Sequence, residues 1–419
     1  MVERYRLSNG VRVIVEQIPH VKSVSLGFWI GVGSIHENSN NNGITHFIEH
    51  MLFKGTSNRT AKQIAESIDS IGGQLNAFTS KECTCYYAKV LDSHLPIAVD
   101  VLSDMLFNST FSDVEIEKEK SVVLEEINMY EDSPEDLVHD LLAKVTFNNH
   151  SLGSPILGTS QTVSEFQREM LLEYIQNNYT SDNIVVSVAG NFDQELLFSL
   201  LEEKFMKYSN HIKKPNILEA PSFGKNSGHR YKDIEQLHFC IGFKGIPQGH
   251  RDLYPLLVMN NVFGGSMSSR LFQNIREDKG LAYSVFSYPS SYSQIGMMTI
   301  YAGINPSQLI EVTKLINEEI CHIKEKGLTE EEFYKSKEQL KGNYILGLES
   351  TSSRMTSIGK SELLMNRVYT QKEVLEKIDA VTMEDVYRVT HDIFDSAYAS
   401  VALVGKVESD NGVCEMLKF

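Results

Sequence analysis

The second half of the sequence repeats a pattern of the first half, and this repeat limits the folds that the chain can adopt. The segment DNIVVSVAGNF (182–192) is a β-branched run that contains Gly190, and AYASVALVGKV (397–407) repeats the pattern around Gly405, 215 residues later. LNAFTS (75–80) is similarly echoed by LAYSVFS (281–287), and each follows a helical stretch and a glycine. Self-similarity near half of the chain length predicts two copies of one α+β unit.

Length and local composition indicate where these two copies meet. A chain of 419 residues is longer than one hydrophobic core usually organises, so two domains are expected. The segment KKPNILEAPSFGKNSGH has two prolines, two glycines and few core-forming residues, which is typical of a linker. We predict a first domain over 1–212, a linker over 213–228 and a homologous second domain over 229–419.

Composition and charge exclude several classes of protein. The 39 basic and 55 acidic residues give a net charge of −16, which disfavours nucleic acid because phosphates need a concentrated basic surface. The sequence has no apolar run of about 18 residues that could span a bilayer. The first residues, MVERYRLSNG, are charged where a secretory signal would be apolar. We therefore predict a cytoplasmic protein without nucleic-acid or membrane partners.

The five cysteines are scattered, which argues against a disulfide framework and fits a reducing compartment. Only Cys83 and Cys85 lie close together. A C-x-C pair is able to bind a metal, but this pair lies in a strand pattern without a second cysteine pair to complete a site. Buried structural thiols are therefore the favoured interpretation.

Three residues with metal chemistry lie together in the apolar stretch THFIEHMLFKGT (45–56). In a helix His46 and His50 are four residues apart, so both rings face one point, a geometry that suits Zn²⁺. Glu49 shares this side and is able to reach a water at the metal. The alternative interpretation is that all three are solvated polar residues beside an apolar stripe.

A catalytic zinc site needs a third protein ligand, and one acidic helix offers candidates. The segment IEKEKSVVLEEINMYEDSPEDLV (116–138) is rich in glutamate, and most of these residues fit a solvated face. Glu119 and Glu126 are seven residues apart and so share a face, close to the apolar positions Val122, Val123 and Ile127, which should turn inward. A carboxylate that faces the interior needs a cation or a hydrogen-bond donor, and zinc would satisfy it.

Several motifs together resemble the pitrilysin and insulysin family of inverted zincins. They are GITHFIEHMLFKGT, IGGQLNAFTSKECTCYYAKVL, EKEKSVVLEEINMYEDSP and LGSPILGT. The length is similar to the half-length branch that includes mitochondrial processing peptidase and its bacterial relatives. The resemblance implies an α+β fold of two homologous domains, each a mostly antiparallel β-sheet packed with helices.

The resemblance also assigns residues to roles. The family's third metal ligand lies some 76 residues beyond the second histidine, which is Glu126 here, and a supporting glutamate seven residues earlier is Glu119. RLFQNIREDKGLAYSVFS is similar to a segment in which an arginine and a tyrosine face the substrate, here Arg276 and Tyr283. Without the family context, these two would be interpreted as a surface arginine and a packed strand tyrosine. The strand that offers its edge to the peptide corresponds to Asn76, Ala77 and Phe78.

The implied function is zinc-dependent hydrolysis of short or unfolded peptides bound as an extended strand. One zinc ion per chain would be held by His46, His50 and Glu126, with Glu49 as the general base. Tyr283 would stabilise the oxyanion and Arg276 would position the substrate backbone.

Full-length relatives enclose a chamber with four such domains, so two domains imply a homodimer. The acidic balance suggests basic peptides as substrates. A non-catalytic peptide-holding or assembly subunit of the same family is the alternative, and an unrelated metal-binding regulator is a third reading.

Overall fold

The computed structural model describes residues 2–206, 220–410 and 412–419. It divides into two compact units. The first unit contains Met1–Asn128, Pro155–Leu218 and Leu346–Thr370, and the second contains Met129–Ser154, Glu219–Ile345 and Gln371–Phe419. Each unit is built on one β-sheet.

The elements of the amino-terminal half, in chain order, are β1 (Val2–Arg6), β2 (Arg12–Gln17), β3 (Ser23–Ile30), α1 (Ile44–Met51), α2 (Ala61–Asp69), β4 (Gln74–Thr79), β5 (Thr84–Leu91), α3 (Leu95–Asn108), α4 (Asp113–Glu131), α5 (Pro134–Phe147), α6 (Ser160–Glu165), α7 (Arg168–Asn178), β6 (Ile184–Gly190) and α8 (Gln194–Phe205). The elements of the carboxyl-terminal half are β7 (Ser227–Tyr231), β8 (Leu237–Gly245), α9 (Leu253–Phe263), a π-helical stretch (Phe272–Asp278), β9 (Ala282–Ser291), β10 (Gly296–Ile304), α10 (Leu309–Lys326), α11 (Glu330–Gly347), α12 (Thr351–Met365), α13 (Gln371–Asp379), α14 (Met383–Ile393), β11 (Ser400–Gly405) and α15 (Val413–Met416).

Five strands of each sheet share one topology, and the first sheet has β1 as an additional strand at its edge. In the described part of the chain the first sheet has the strand order β1-β2-β6-β3-β5-β4, and the second has the order β7-β11-β8-β10-β9. In each sheet one pair is parallel, β2 with β6 and β7 with β11, and the remaining pairs are antiparallel. The predicted α+β fold of two homologous, mostly antiparallel sheets is therefore confirmed.

The two glycines that revealed the repeat occupy equivalent positions. Gly190 ends β6 with φ 137°, and Gly405 ends β11 with φ 150°. A side chain on Gly190 would approach the carbonyl of Ser23 to 2.3 Å, and one on Gly405 would approach the carbonyl of Gln236 to 3.0 Å. Ser23 is the first residue of the neighbouring strand β3, and Gln236 directly precedes the neighbouring strand β8. The chain turns sharply at both places, and glycine alone adopts this backbone conformation without strain.

One helix from each half packs on the sheet formed mainly by the other half. Helix α12 lies on the first sheet, where Gly359 sits over the indole of Trp29. Helix α5 lies on the second sheet, where Leu142 fills the space left by Gly242. The compact units thus differ from the predicted contiguous domains in two segments. Residues 129–154 belong to the second unit, and residues 346–370 belong to the first. The physical reason is that each sheet covers a second apolar face with a helix that is distant in sequence.

The predicted linker is only partly within the described residues. Positions 213–219 lie outside them, and 220–226 contain neither helix nor strand. The second domain starts earlier than predicted, because β7 begins at Ser227 and pairs with β11.

Two further local predictions concern the cysteine pair and membrane spans. Cys83 and Cys85 are unpaired thiols and are fully buried beside Trp29. No described helix combines the length and the apolar composition needed to cross a membrane.

Candidate metal centre

Helix α1 places two imidazoles on one face. Its apolar side chains Phe47, Ile48 and Met51 are almost completely buried in the first core, so the helix has a fixed orientation. His46 and His50 lie one helical turn apart on the remaining side, with ring centroids 4.5 Å apart. The chain therefore positions both rings through the packing of α1.

Helix α4 brings a carboxylate to these rings. Glu126 Oε2 lies 3.8 Å from His46 Nε2 and 3.6 Å from His50 Nε2. The ligand atoms of these three residues lie within 4.8 Å of one another, and no other such group of histidine, cysteine or acidic residues is found in the described ranges. The three residues predicted as metal ligands are thus brought together by the fold.

The spacing of these donors fits a tetrahedral zinc ion. Bonds of about 2.1 Å to nitrogen and oxygen place two ligand atoms of a tetrahedron roughly 3.4 Å apart. The distances of 3.6 and 3.8 Å from Glu126 to the two rings exceed this value by a few tenths of an ångström. Small side-chain rotations close that difference, so two nitrogens and one oxygen are able to hold zinc.

A buried glutamate supports the second histidine. Glu119 is only 2% exposed, and its Oε1 lies 2.7 Å from His50 Nδ1. Its Oε2 forms an ion pair of 2.6 Å with Lys54 Nζ. Lys54 was not predicted from the sequence. Burial tends to raise the pKa of Glu119, but hydrogen bonds from His50 and Lys54 lower it below its usual range. The carboxylate therefore stays ionised and orients the His50 ring.

The two histidines have opposite pKa shifts. Burial lowers the pKa of His46 to about 3, so its ring is neutral at physiological pH. Burial also acts to lower the pKa of His50, but the hydrogen bond and charge of Glu119 raise it above the ordinary value. A neutral imidazole is the form that binds a metal, and His46 is already in that form.

Glu49 lies beside the cluster and is held by a strand residue. Thr79 Oγ1 donates a hydrogen bond of 2.5 Å to Glu49 Oε2. Burial raises the pKa of Glu49, while Thr79 and His50 act against that shift. Thr79 was missed by sequence reasoning, although strand alternation places it on the face of β4 opposite Phe78 and hence towards α1.

Strand β4 forms one edge of the first sheet. Among the described strands it pairs only with β5, so its outer backbone groups have no strand partner. Asn76 is exposed and Ala77 is half-buried. The ring centroid of Phe78 lies 5.7 Å from that of Trp29, so the side chain of Phe78 packs on the sheet. Its backbone groups, rather than its side chain, are available at the edge of β4.

Arg276 and Tyr283 lie in the second unit, whereas the histidine and glutamate cluster lies in the first. Tyr283 is 76% exposed at the start of β9, and Arg276 is in the π-helical stretch before it. The Arg276 guanidinium lies 4.7 Å from the ring centroid of Phe272 and 5.8 Å from that of Tyr283. The pair is thus close together and accessible.

A duplicated α+β fold with an H-x-x-E-H helix and a distant glutamate defines the class of inverted zincins. Residues 12–160 match the family model "Insulinase (Peptidase family M16)", and residues 165–340 match "Peptidase M16 inactive domain". The chain belongs to this peptidase family, and the resemblance seen in its sequence is confirmed.

Relatives with similar sequences cover almost the whole chain. An uncharacterized zinc protease of Bacillus subtilis (strain 168) is 52% identical over 399 residues, covering 95% of this chain and 97% of that protein. An uncharacterized zinc protease of Streptomyces coelicolor is 39% identical and covers 97% of this chain and 90% of that protein. The crystal structure of a protease from Helicobacter pylori shares the fold, with a TM-score of 0.88 at 22% identity, over 97% of this chain and 99% of that one.

Proposed function

We propose that the chain is a zinc-dependent endopeptidase that hydrolyses short or unfolded peptides bound as an extended strand. The observation that carries this proposal is the position of Glu49, a carboxylate held by Thr79 beside three converging metal ligands. The names of the relatives, uncharacterized zinc proteases, agree with it. The H-x-x-E-H spacing supplies both the ligands and the base from one helix.

His46, His50 and Glu126 would hold the zinc ion, one per chain. When bound, zinc polarises a peptide carbonyl and makes a water molecule more acidic. Glu49 accepts the proton of the attacking water on a carboxylate oxygen and delivers it to the nitrogen of the leaving amine. Thr79 fixes Oε2 during both transfers, which leaves Oε1 to face the water.

The substrate would lie along β4. An extended peptide that pairs with the outer edge of this strand exchanges backbone hydrogen bonds with Asn76, Ala77 and Phe78. Such pairing depends on the backbone conformation of the peptide more than on its sequence. A folded protein cannot present a free strand in this way, so unfolded and short chains are the expected substrates.

The second unit would complete the site from another subunit. In this proposal Arg276 positions the substrate backbone and the Tyr283 phenol stabilises the oxyanion, both acting on the metal centre of the partner in a homodimer. The exposure of Tyr283, the partial exposure of Arg276 and their mutual proximity support a role in substrate contact. Mixing a Glu49→Gln chain with a Tyr283→Phe chain would restore activity in one site of the mixed dimer, whereas restoration is absent if each chain acts alone.

Charge and location complete the proposal. The net charge of −16 supports a preference for basic peptides, and we place the protein in the cytoplasm. Charge-reversed versions of one unstructured peptide test the preference, and equal kcat/KM values for the two would exclude it.

The alternative, a non-catalytic subunit that holds peptides, has one finding in its favour. Residues 165–340 match a family model described as an inactive domain. That segment does not contain the cluster of His46, His50 and Glu126, so the description "inactive" does not apply to the metal centre. We therefore assign the metal centre and the substrate strand β4 to the first unit, and the supporting residues Arg276 and Tyr283 to the second.

Hydrolysis of an unstructured peptide tests the proposed function. The zinc-loaded protein should cleave it, a chelator should stop cleavage, and added zinc should restore it. Glu49→Gln should lower kcat by about 10²–10⁴-fold with zinc content unchanged. Glu66→Gln, on the exposed side of α2, is the matched control and should retain activity. Equal activity of Glu49→Gln and the native chain would exclude the mechanism.

A further inference from the structure

The two histidines of the metal centre are supported in different ways. His50 Nδ1 lies 2.7 Å from the Glu119 carboxylate, which fixes the orientation of its ring. His46 Nδ1 is buried, yet no described residue offers it a hydrogen-bond partner. Histidines that bind zinc usually donate their second ring N–H to an acceptor that orients them. The packing of the buried His46 ring and the position of its backbone must therefore orient this ligand.

The backbone just before His46 is fixed by a carboxylate from a preceding loop. Helix α1 starts after Gly43, which has φ 92° and no side chain with which to cap the helix. The first backbone N–H groups of a helix have no partners within the helix. Glu37 supplies acceptors for two of these groups. Its Oε2 accepts a hydrogen bond of 2.8 Å from Gly43 N, and its Oε1 accepts one of 2.9 Å from Thr45 N.

The surroundings of Glu37 hold this carboxylate in place. It is 6% exposed, and Asn42 Nδ2 donates to Oε2 at 2.9 Å and also to the carbonyl of Pro155 at 2.9 Å. On the other side of Thr45, its hydroxyl lies 3.0 Å from the phenol of Tyr174 on α7. The start of α1 is thus tied to segments that are more than 100 residues away in sequence.

The chemistry of the site favours a carboxylate over any other side chain. Three N–H donors converge on two oxygens, and a carboxylate accepts all of them. A negative charge at this position also interacts favourably with the amino-terminal end of the α1 dipole. Burial raises the pKa of Glu37, and the N–H donors act against that shift.

We propose that Glu37 is the positioning residue for His46: by capping α1 at Gly43 and Thr45, it sets the place of the imidazole that lacks a hydrogen-bonded support of its own. This inference rests on the proposed zinc site. The two ligands of α1 are then oriented by two separate carboxylates, Glu119 through the ring of His50 and Glu37 through the backbone next to His46.

Zinc affinity of the Glu37→Gln variant tests this inference. An amide has one acceptor oxygen, so its NH₂ group must face at least one of the N–H donors that the carboxylate satisfies. We expect the affinity for zinc, measured by competition with a chromophoric chelator, to fall by about 10–100-fold, as for loss of other residues that support metal ligands. The measurement reports metal binding and needs no substrate.

The matched control is a cap on a helix without metal ligands. Asp193 accepts a hydrogen bond of 2.9 Å from Leu196 N at the start of α8. Asp193→Ala removes this cap and should lower thermal stability without changing zinc affinity. A zinc affinity of Glu37→Gln within about twofold of the native value, with circular dichroism unchanged, would overturn the inference.

Hydrogen exchange keeps the inference testable if Glu37→Gln does not fold. In the native chain without zinc, the amides of Gly43 and Thr45 should exchange as slowly as the interior amides of α1. Rapid exchange of both amides beside a protected helix would contradict the cap. A native chain that binds zinc but cleaves no peptide would refute the proposed function and leave this inference standing.

Discussion

Thr79 Oγ1 donates a hydrogen bond of 2.5 Å to Glu49 Oε2, so the last residue of the edge strand β4 holds the proposed catalytic base. Thr79→Val removes the hydroxyl and keeps the shape, and we expect kcat to fall by about 10–100-fold because Glu49 loses its fixed orientation. KM and zinc content should stay unchanged. Thr79→Ser keeps the hydroxyl and should recover most of the activity, whereas equal losses in both variants would indicate a packing effect.

Glu119 should determine how tightly the centre binds zinc. Glu119→Ala leaves His50 without its acceptor and Lys54 without its partner, so we expect zinc affinity to fall by about 10–100-fold. Glu117→Ala on the same helix removes a glutamate that is 70% exposed and serves as the control. Chelator competition on both variants measures the difference, and equal affinities would show that His50 needs no support.

Gly359 should resist substitution although it lies inside helix α12. A Cβ at this position would lie 2.2 Å from Nε1 of Trp29, which donates a hydrogen bond of 2.8 Å to Ser187. We expect Gly359→Ala to lower the free energy of unfolding by about 1–3 kcal/mol through overpacking, despite the higher helix propensity of alanine.

Gly342→Ala in helix α11 is the matched control for this substitution. A Cβ there meets no other atom within 4 Å, so this variant should be neutral or more stable. Trp29 is the only tryptophan of the chain and its fluorescence reports unfolding of the first unit, whereas Gly342 lies in the second unit. Circular dichroism therefore follows the unfolding of both variants. Equal stability of the two alanine variants would contradict the close approach of α12 to the first sheet.

The stability of the second unit should depend on the ionisation of Glu332. Burial acts to raise the pKa of Glu332, but hydrogen bonds from Arg270 and Thr329 lower it to about 2. A lowered folded-state pKa gives stability that is complete above the unfolded value of about 4.3 and is lost as the pH falls towards 2.

Glu332→Gln should therefore lower the free energy of unfolding by roughly 1–2 kcal/mol at neutral pH, a value reduced for partial exposure. The difference from the native chain should shrink as the pH falls below about 4. Urea denaturation at several pH values measures it. A difference that is independent of pH would exclude the ionised pair as its source.

The sequence predicted those parts of the site whose residues lie a few positions apart on one helix. The i, i+4 histidines and the glutamates seven residues apart lie on single helix faces, so a periodic argument brings each pair to one side. Gly190 and Gly405 revealed the duplication because each is needed for the same turn. Joining the α1 pair to Glu126 rested on the family resemblance, since spacing within a helix says nothing about a second helix.

Other features of the fold and the site could not be predicted, because they depend on contacts between distant segments, which produce no periodic pattern in the sequence. The apolar faces of α5 and α12 predict burial but do not tell which sheet each helix covers. Glu37 lies in a loop and acts on backbone N–H groups, and such partners have no sequence signature. Thr79 could have been predicted from strand alternation once β4 was placed beside α1, but that placement required the fold.

Zinc content per chain, measured by elemental analysis after dialysis, tests whether His46, His50 and Glu126 together bind a metal ion. The native chain should retain about one zinc ion, as expected for a site with three protein ligands. Glu126→Ala should lose it under the same conditions, while Glu125→Ala, which changes the exposed neighbour on α4, should retain it. Full zinc retention by Glu126→Ala, or equal loss in both variants, would contradict a metal centre formed by His46, His50 and Glu126.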